Sequence, residues 1–402
     1  MKKTLIALAL TTLPVAAMAE VVLYGQMKAG YEVSSTKDSG ESRDPYLNGI
    51  ADYGSRIGFK GSEDLGRGLK VIWQVESRIH LGHSNGGSDG WADRDSFIGL
   101  ETPYGTVRAG RISNQINANM DDVDTWEYAN PALGLGKFTR TDARYVGIAY
   151  NSPEWSGFSF NLLYSPRDNV NGSDREREYF NGIGTGEKYS LGLNYQNSGW
   201  FAKYGFDYLK NSAFKYDDYT AMVANGHSGT GSYKDGQVHR LEGGYDANNW
   251  FVGVGYQYTK NASSFNDDVN DIGFLAPGSS QANPVSSNVG EHNVGIDNQT
   301  QEAALTVGYH FGNIFPKISY AHGWDLKVNG QKQSNTKYDQ IVLGADYAFS
   351  KRTTANVQAG WLREGNGYYG DRLGLSSDDT VRGDSRGKTK TTAFGVGLKH
   401  TF

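Results

Sequence analysis

The eight histidines are the first side chains to examine for chemistry, because an imidazole can act as a base or bind a metal at neutral pH. They stand at positions 80, 83, 227, 239, 292, 310, 322 and 400. His80 and His83 are close in sequence, but no third ligand follows them at the spacing of a metal site. No G-x-S-x-G motif occurs, and a serine–histidine pair formed by folding stays open at this point. We therefore expect a non-catalytic protein that binds no metal or cofactor. A hydrolytic enzyme is the alternative.

A cluster of acidic residues offers a different kind of chemistry. Asp121, Asp122, Asp124 and Glu127 lie close together in the stretch 112–142. Their summed charge can act on ions and dipoles if the stretch lies beside a path for solutes. The alternative is a solvated surface turn. The choice depends on the elements that hold the stretch in place.

Short segments of alternating polarity run along most of the chain. Residues 189–195 place Tyr, Leu, Leu and Tyr on one face and Ser, Gly and Asn on the other. This period of two is typical of β-strands that have an apolar medium on one side and a polar one on the other. The pattern recurs at 158–164, 250–258, 305–311, 341–347 and 394–402. Many apolar faces end in an aromatic residue, as in strands that cross a lipid headgroup interface.

The connections between these segments alternate in length. Seven are short, near residues 63–66, 102–105, 152–157, 196–199, 246–249, 312–316 and 349–352. Eight are longer, near residues 35–52, 83–90, 112–142, 166–186, 211–236, 261–297, 327–337 and 364–388. Together they join sixteen strands, with the long loops on one side and the tight turns on the other. Both ends of the chain fall on the turn side, so the first and last strands can pair.

The composition excludes several classes of protein. Among the 402 residues are 53 glycines, too many for a helical core, and there is no cysteine to form a disulfide. No apolar stretch approaches ~20 residues, and the mean hydropathy is -0.57, so we expect no helix to span a bilayer. The net charge of -5 gives no support for nucleic-acid binding.

Residues 1–19 have the features of a secretory signal peptide. Lys2 and Lys3 provide a positive start, an apolar run follows, and Ala17-Met18-Ala19 matches an A-x-A cleavage site. Cleavage there leaves residues 20–402, which we predict to form a single exported domain.

Two all-β architectures account for the alternation, a soluble sandwich and a membrane barrel. The polar face is nearly bare of large apolar residues, so we expect it to form no dry core. In a bilayer every backbone polar group needs a partner, so a sheet must close on itself. The aromatic edges of the apolar face and the segregation of loop lengths favour the barrel. The sequence therefore predicts a 16-stranded antiparallel transmembrane β-barrel around a lumen that holds water.

Several motifs follow one another in a fixed order along the chain. They include GSRIGFKG at 54–61, IWQVE at 72–76, RDSFIGL at 94–100, VRAGR at 107–111 and GVGLKHTF at 395–402. Each motif alone would be weak, but the ordered set is specific. Over the whole chain after residue 19, it resembles the Gram-negative outer-membrane porins of the neisserial type.

The resemblance implies a homotrimeric channel in the Gram-negative outer membrane for passive diffusion of ions and small hydrophilic solutes. The partners implied are further copies of the chain, outer-membrane lipid and lipopolysaccharide, and the outer-membrane assembly machinery. The terminal Phe402 resembles the signal that this machinery reads. The resemblance also implies that the third long loop, 112–142, folds inward and narrows the lumen.

The expected constriction sets the loop acids against a basic wall. The acids are Asp121, Asp122, Asp124 and Glu127, and the wall residues are Arg56, Lys60, Arg78, Arg94, Arg108 and Arg144. Alternation independently turns Arg56, Lys60, Arg78 and Arg108 inward. It is ambiguous for Arg94, and Arg144 shares the apolar phase, so a bulge would be needed to turn it inward. The sign of ion selectivity stays open, because the acids favour cations and the arginines favour anions.

Overall fold

The computed structural model describes residues 20–37, 46–82, 91–167, 186–217, 231–262, 295–328, 330–332, 334–365 and 388–402. The predicted signal peptide and parts of several long loops lie outside these residues, as does His83. Within the described part of the chain, no helix is long and apolar enough to cross a membrane.

Sixteen long strands, numbered here in chain order, make up the sheet. They are β1 (Glu20–Lys37), β2 (Ser55–Gly66), β3 (Leu69–Ile79), β4 (Ser96–Thr102), β5 (Gly105–Ser113), β6 (Arg144–Asn151), β7 (Phe158–Ser165), β8 (Lys188–Asn197), β9 (Trp200–Tyr216), β10 (Gly231–Ala247), β11 (Trp250–Lys260), β12 (Asn298–Tyr309), β13 (Ile314–Gly323), β14 (Tyr338–Ala348), β15 (Thr353–Glu364) and β16 (Thr389–Thr401). Each strand pairs antiparallel with the next. Four short strands extend the sheet at Leu47–Asp52, Gly295–Ile296, Lys327–Val328 and Gln331–Lys332.

The first strand closes the sheet into a barrel. The first residues of β1, Glu20 to Gln26, pair with β2, and the residues from Gln26 to Lys37 pair with β16. At the junction, Gly25 and Phe402 exchange two backbone hydrogen bonds of 3.1 Å. Closure leaves no sheet edge to face lipid, which is the condition for a β-structure to span a bilayer. The predicted closed 16-stranded barrel is confirmed.

Tight turns join the strands at the end where both chain termini lie. Between β10 and β11, Asn248 and Asn249 take positive φ values of 52° and 68°. Ser198 and Gly199 do the same between β8 and β9, at 51° and 85°. Two successive residues in this left-handed region form the hairpin turn whose twist matches that of the flanking strands. Short connections are thus confined to one end, as the loop lengths predict.

The two faces of the sheet differ as the alternation predicts. On the outer face, Leu241 and Leu343 are more than half exposed, as is fitting for side chains that meet lipid. The inner neighbour of Leu241, Glu242, is completely buried. Aromatic pairs gather on the outer face at the turn end, including Trp200 with Tyr245 and Trp250 with Tyr309.

One expectation about the inner face is wrong in part. This face is not bare of large apolar residues, because Phe201, Phe251, Tyr338, Val342 and Leu362 all lie on it and are buried. They do not fill a central core. Several of them pack instead against the stretch 112–142, which supplies the other half of the contact.

The stretch 112–142, called the loop below, connects β5 to β6 and contains three short helical segments. These are α1 (Gln115–Asn119), a 3-10 turn (Pro131–Leu133) and α2 (Gly136–Thr139). The Asn114 side chain caps α1 by accepting a hydrogen bond from the Asn117 N–H, and Asn130 caps the 3-10 turn in the same way. The loop therefore has defined local structure.

Candidate functional site

The loop is bonded to the inner face of a continuous run of strands. It forms at least one hydrogen bond or ion pair with every strand from β7 to β16 and with β1. One partner from each, in that order, is Asn161, Asn194, Lys203, Arg240, Gln257, Glu302, Ser319, Gln340, Gln358, Lys399 and Lys28. We call this inner-face run the covered wall, and the inner face of β2 to β5 the open wall.

Arg240 on β10 joins the two ends of the loop. Its guanidinium group donates to the Met120 carbonyl at 2.7 Å, and it lies 3.4 Å from Asp142 Oδ1. The same group is 2.5 Å from Glu242 Oε1 and stacks over the Phe138 ring at 4.6 Å. Arg240 and Glu242 are both completely buried. A buried ion pair is sensitive to loss of either partner, since the remaining charge is then left without compensation.

A second buried pair holds the later part of the loop. Arg140 donates to Glu302 Oε1 at 2.5 Å and to Thr300 Oγ1 at 2.6 Å. Lys137 of α2 lies 2.5 Å from Glu364 Oε1 on β15. These contacts are short and largely screened from water, so they fix the position of the chain more firmly than exposed pairs would.

The tip of the loop is anchored at the junction of β16 and β1. Glu127 accepts from Lys28 at 2.6 Å and from Lys399 at 2.7 Å. Burial alone raises the pKa of Glu127, but the two ammonium groups outweigh it and hold the pKa below its usual range. The backbone N–H groups of Ala129 and Asn130 both donate to the Glu32 carboxylate at 2.9 Å.

Apolar side chains of the loop pack against the covered wall between these polar anchors. Val123, Trp126, Leu133, Leu135 and Phe138 are all buried there. The Trp126 indole N–H donates to Ser319 Oγ at 2.8 Å, so its one polar atom is satisfied. Gly255 on β11 allows the Phe138 ring to come close, because a Cβ there would lie only 2.5 Å from a ring carbon.

The four loop acids have different environments. Asp122 pairs with Lys203 at 2.6 Å, whereas Asp121 is exposed. Asp124 accepts a hydrogen bond from the Tyr128 hydroxyl at 2.8 Å. Burial raises the pKa of Asp124 to about 6, although this hydrogen bond acts in the opposite direction. The acids lie on one segment, as predicted, but Asp122 and Glu127 already form ion pairs with lysines.

The predicted basic residues of β2 to β5 lie on the open wall and have partners of their own. Arg56 and Arg94 share one carboxylate, Glu76, at 3.7 Å and 2.6 Å. Arg94, ambiguous from alternation, is thereby brought into this set. Arg78 pairs with Asp93 at 3.8 Å, and Arg108 donates to the Asn151 side chain at 2.8 Å. Lys60 lies over the Tyr24 ring at 5.2 Å. The carboxylates that pair with Arg56, Arg94 and Arg78 here are Glu76 and Asp93, and neither belongs to the loop.

Arg144 does not join this set. Its pairing with Ser113 continues the regular register of β5 and β6, so the bulge that would turn it inward is absent from this ladder. The side chain instead forms an ion pair of 2.7 Å with Asp95, which also accepts from the Ser113 hydroxyl. The ion-pair partner of Arg144 is therefore Asp95 rather than a loop acid.

The sequence interpretation missed the residues that hold the loop most directly. Lys28, Lys203 and Lys399 occupy inward positions in the alternation, so that pattern could have identified them as candidates. Arg140 carries no comparable signal, because its partner Glu302 lies 162 positions away. Arg240 and Glu242 stand two positions apart on one strand, so the alternation could have identified that pair as well.

The histidines in the described part of the chain belong to no metal-binding group. No set of three His, Cys, Asp or Glu side chains there is arranged to hold a metal ion. His80 lies 3.9 Å from Asp52, and His322 lies 2.8 Å from Asp339 on the outer face.

The Gram-negative porin family model matches residues 19–402. The chain belongs to the Gram-negative porin family. A major outer membrane protein P.IB of Neisseria sicca is 43% identical over the full length of both chains. The porin is thus a multi-pass β-barrel of the Gram-negative outer membrane and a general diffusion channel.

Solved structures share the fold of this porin at low sequence identity. An anion-selective porin from Comamonas acidovorans has a TM-score of 0.61 and 21% identity, covering 96% of this chain and 100% of its own. The OmpT outer membrane protein of Vibrio cholerae, in its trimer form, has a TM-score of 0.56 and 13% identity, covering 96% and 99%. At these identities the comparison speaks for the fold alone.

Proposed function

We propose that the loop folds into the lumen of this diffusion channel and narrows it, leaving the path for solutes beside the open wall. The contacts of the loop with eleven consecutive strands support this arrangement, because every partner named above is an inner-face residue. A segment tethered to so much of the inner face takes up space that water would otherwise fill. The remaining passage is then bordered by the loop acids on one side and by the basic residues of β2 to β5 on the other.

We further propose that the passage favours small anions. The supporting observation is the unequal matching of charges around it. On the covered wall, the pairs Lys203–Asp122, Lys317–Asp346 and Arg140–Glu302 are matched one to one. On the open wall, by contrast, Arg56 and Arg94 share the single carboxylate Glu76. Lys60 and Arg108 form no ion pair with a carboxylate among the described residues. An excess of positive charge along a narrow wet path raises the local concentration of anions.

The preference is expected to be weak. Two unit charges about 10 Å apart in water interact by roughly 0.4 kcal/mol. Several such interactions together can bias the choice of ion and orient a dipolar solute. The screening length shrinks from about 10 Å at 0.1 M salt to about 3 Å at 1 M, so selectivity should fade as salt rises.

We propose a homotrimer in which the outer face of β4 to β6 contacts protein rather than lipid. The length of the strands supports this placement, since β4 and β6 have only 7 and 8 residues, fewer than the roughly 9–11 that a strand needs to cross a bilayer. Strands this short are better accommodated against another subunit than against lipid. The trimer form of the OmpT neighbour supports the trimer itself. The remaining outer face would meet lipid and lipopolysaccharide, and Phe402 would serve as the signal for the assembly machinery.

We propose that the channel performs no covalent chemistry. The porin family assignment supports a channel rather than an enzyme. Refolded protein incubated with generic ester and peptide substrates is expected to give no hydrolysis above that of denatured protein.

Reconstitution into planar lipid bilayers tests the proposed passage. We expect discrete conducting steps in KCl and a reversal potential, under a salt gradient, of the sign that indicates anion preference. A protein that inserts without conducting would reject the channel, whereas cation preference would reject the charge argument alone.

Neutralising the loop acids tests their place beside the passage. The combined substitution Asp121→Asn, Asp122→Asn and Asp124→Asn should shift the reversal potential further towards anions at low salt. Glu63→Gln, next to a turn on the outer face, is the matched control and should leave it unchanged. If the triple variant behaves like this control, the loop does not border the passage.

A further inference from the structure

The open wall contains a recess of about 340 Å³ on the turn side of the loop anchors. Its lining side chains come from β1 to β4 and include Val22, Lys60, Ser62, Ile72, Gln74 and Phe97. Val22 pairs with Lys60, and Gln74 faces both Lys60 and Phe97 across the ladder. These six side chains therefore share the inner face of adjacent strands.

Three of these side chains are apolar and accessible. Val22 is 37% exposed, and Ile72 and Phe97 are each partly exposed. On the covered wall, Tyr338, Val342 and Leu362 are, in contrast, buried under the loop. Accessible apolar surface inside an otherwise polar lumen is the kind of feature that marks a contact site for a ligand with an apolar part.

Two cations border this apolar surface. The Arg108 guanidinium lies over the Phe97 ring at 4.9 Å. Lys60 lines the recess, and its ammonium lies over the Tyr24 ring at 5.2 Å. Neither forms an ion pair with a carboxylate among the described residues. The nearby Glu76 is engaged by Arg56, Arg94 and the Tyr24 hydroxyl. Arg108 donates one hydrogen bond to the neutral side chain of Asn151, which leaves its charge uncompensated. The charges of Lys60 and Arg108 can therefore act on a solute.

We propose that this recess transiently binds small amphiphilic carboxylates. The carboxylate would lie between Lys60 and Arg108, and a short alkyl or aryl group would contact Val22, Ile72 and Phe97. Charge complementarity selects the anion, and removal of apolar surface from water selects its tail. The inference rests on the proposed passage beside the open wall, because a solute must reach the recess through the lumen.

The experiment compares carboxylates of one charge and different tails as blockers of the open channel. Acetate, hexanoate and 3-phenylpropionate are added on the turn side during single-channel recording in KCl. We expect the apparent dissociation constant for current block to fall about ten-fold or more from acetate to 3-phenylpropionate. Equal block by all three at equal concentration would overturn the proposal. Absence of conductance in KCl alone would instead reject the underlying channel function.

Substitutions locate the site. Phe97→Ser should weaken block by 3-phenylpropionate about ten-fold and block by acetate much less, since the tail contact is lost while the charges of Lys60 and Arg108 remain. Lys60→Gln should weaken block by both anions by about three-fold and leave block by neutral benzyl alcohol unchanged. Lys188→Gln is the matched control, a lumen lysine on β8 remote from the recess, and should have little effect.

Lys60→Gln also guards against a folding defect in Phe97→Ser, because Lys60 is exposed and its replacement removes no buried contact. KCl conductance equal to that of the parent protein establishes that each variant has folded. If Lys60→Gln and Lys188→Gln weaken block equally, the recess is not the binding site.

Discussion

The covered wall and the open wall use the same kinds of charged residue for different purposes. On the covered wall, Arg240 and Arg140 are buried against carboxylates at 2.5 Å and join the loop to the barrel. On the open wall, Lys60 is exposed and Arg108 has an amide rather than a carboxylate as its partner. Buried charges that form ion pairs hold the loop in position and contribute little to the electric field in the lumen. Accessible unmatched charges contribute to the field and little to stability.

The two walls together explain how the loop can be held firmly while the lumen still contains water. A loop held only by exposed pairs would move readily, because each such pair is worth about 1 kcal/mol or less. The apolar clusters around Phe138 and Trp126 supply the burial that exposed charges lack. This small core lies against the covered wall, and in the proposed arrangement the open wall is left to meet solutes.

The largest effect is expected from Arg240→Ala. Loss of this guanidinium leaves Glu242 buried without a partner, which should lower the free energy of unfolding by about 3–5 kcal/mol. Arg108→Ala on the open wall should cost about 1 kcal/mol or less. Urea unfolding of the reconstituted protein, followed by tryptophan fluorescence, measures both. Similar costs for the two arginines would remove the distinction between the walls.

A paired substitution sharpens this test. Replacing Arg240 by Met together with Glu242 by Leu removes both charges and keeps most of the volume. We expect the double variant to recover most of the stability lost in Arg240→Ala, because no uncompensated charge remains buried. Failure to recover would mean that the hydrogen bond to Met120 O or the contact with Phe138 matters more than the ion pair.

The assignment of strand residues to the inner or outer face of the barrel, on which the definition of both walls depends, is tested by two substitutions at one depth in the bilayer. Leu193 lies on the outer face of β8 and pairs with Phe160, while Ser159 lies on the inner face of β7 and pairs with Asn194. Leu193→Arg should cost about 2–4 kcal/mol near the bilayer midplane, and Ser159→Arg should cost much less. Equilibrium folding into lipid vesicles measures both, and equal penalties would contradict the assigned facing.

The smallest effect is a change of selectivity with pH. Because burial raises the pKa of Asp124 to about 6, its carboxyl is mainly neutral at pH 5 and mainly charged at pH 8. The added negative charge opposes anions, so the anion preference should fall as pH rises through about 6. Reversal potentials at 0.1 M salt measure it, and Asp124→Asn should abolish the step. A step that survives this substitution would belong to another group.

Periodicity and loop length were enough to predict most of the fold. Strands such as β8 and β16 alternate so regularly that their facing follows from residue types alone. The inward positions of Arg56, Lys60, Arg78 and Arg108 follow by the same argument. The apolar residues under the loop were not predicted, because Tyr338 and Val342 occupy inward positions that the pattern reserves for polar side chains.

Contacts between residues far apart in the chain could not be predicted from the sequence. Glu127 contacts Lys399 across 272 positions, and Trp126 contacts Ser319 across 193. Nothing in the local pattern near Arg144 indicates its pairing with Asp95, although regular alternation did place it outside the inward set.

The amino-acid sequence by itself determined that this chain forms a closed membrane barrel, because strand alternation and hydrogen-bond satisfaction in lipid are properties of local segments. Only the tertiary structure decided which charges are matched and which stay accessible. That outcome depends on where one loop comes to lie against strands distant in sequence. The free energy of each charge depends on the neighbours it finds there, and those neighbours meet only when the barrel closes.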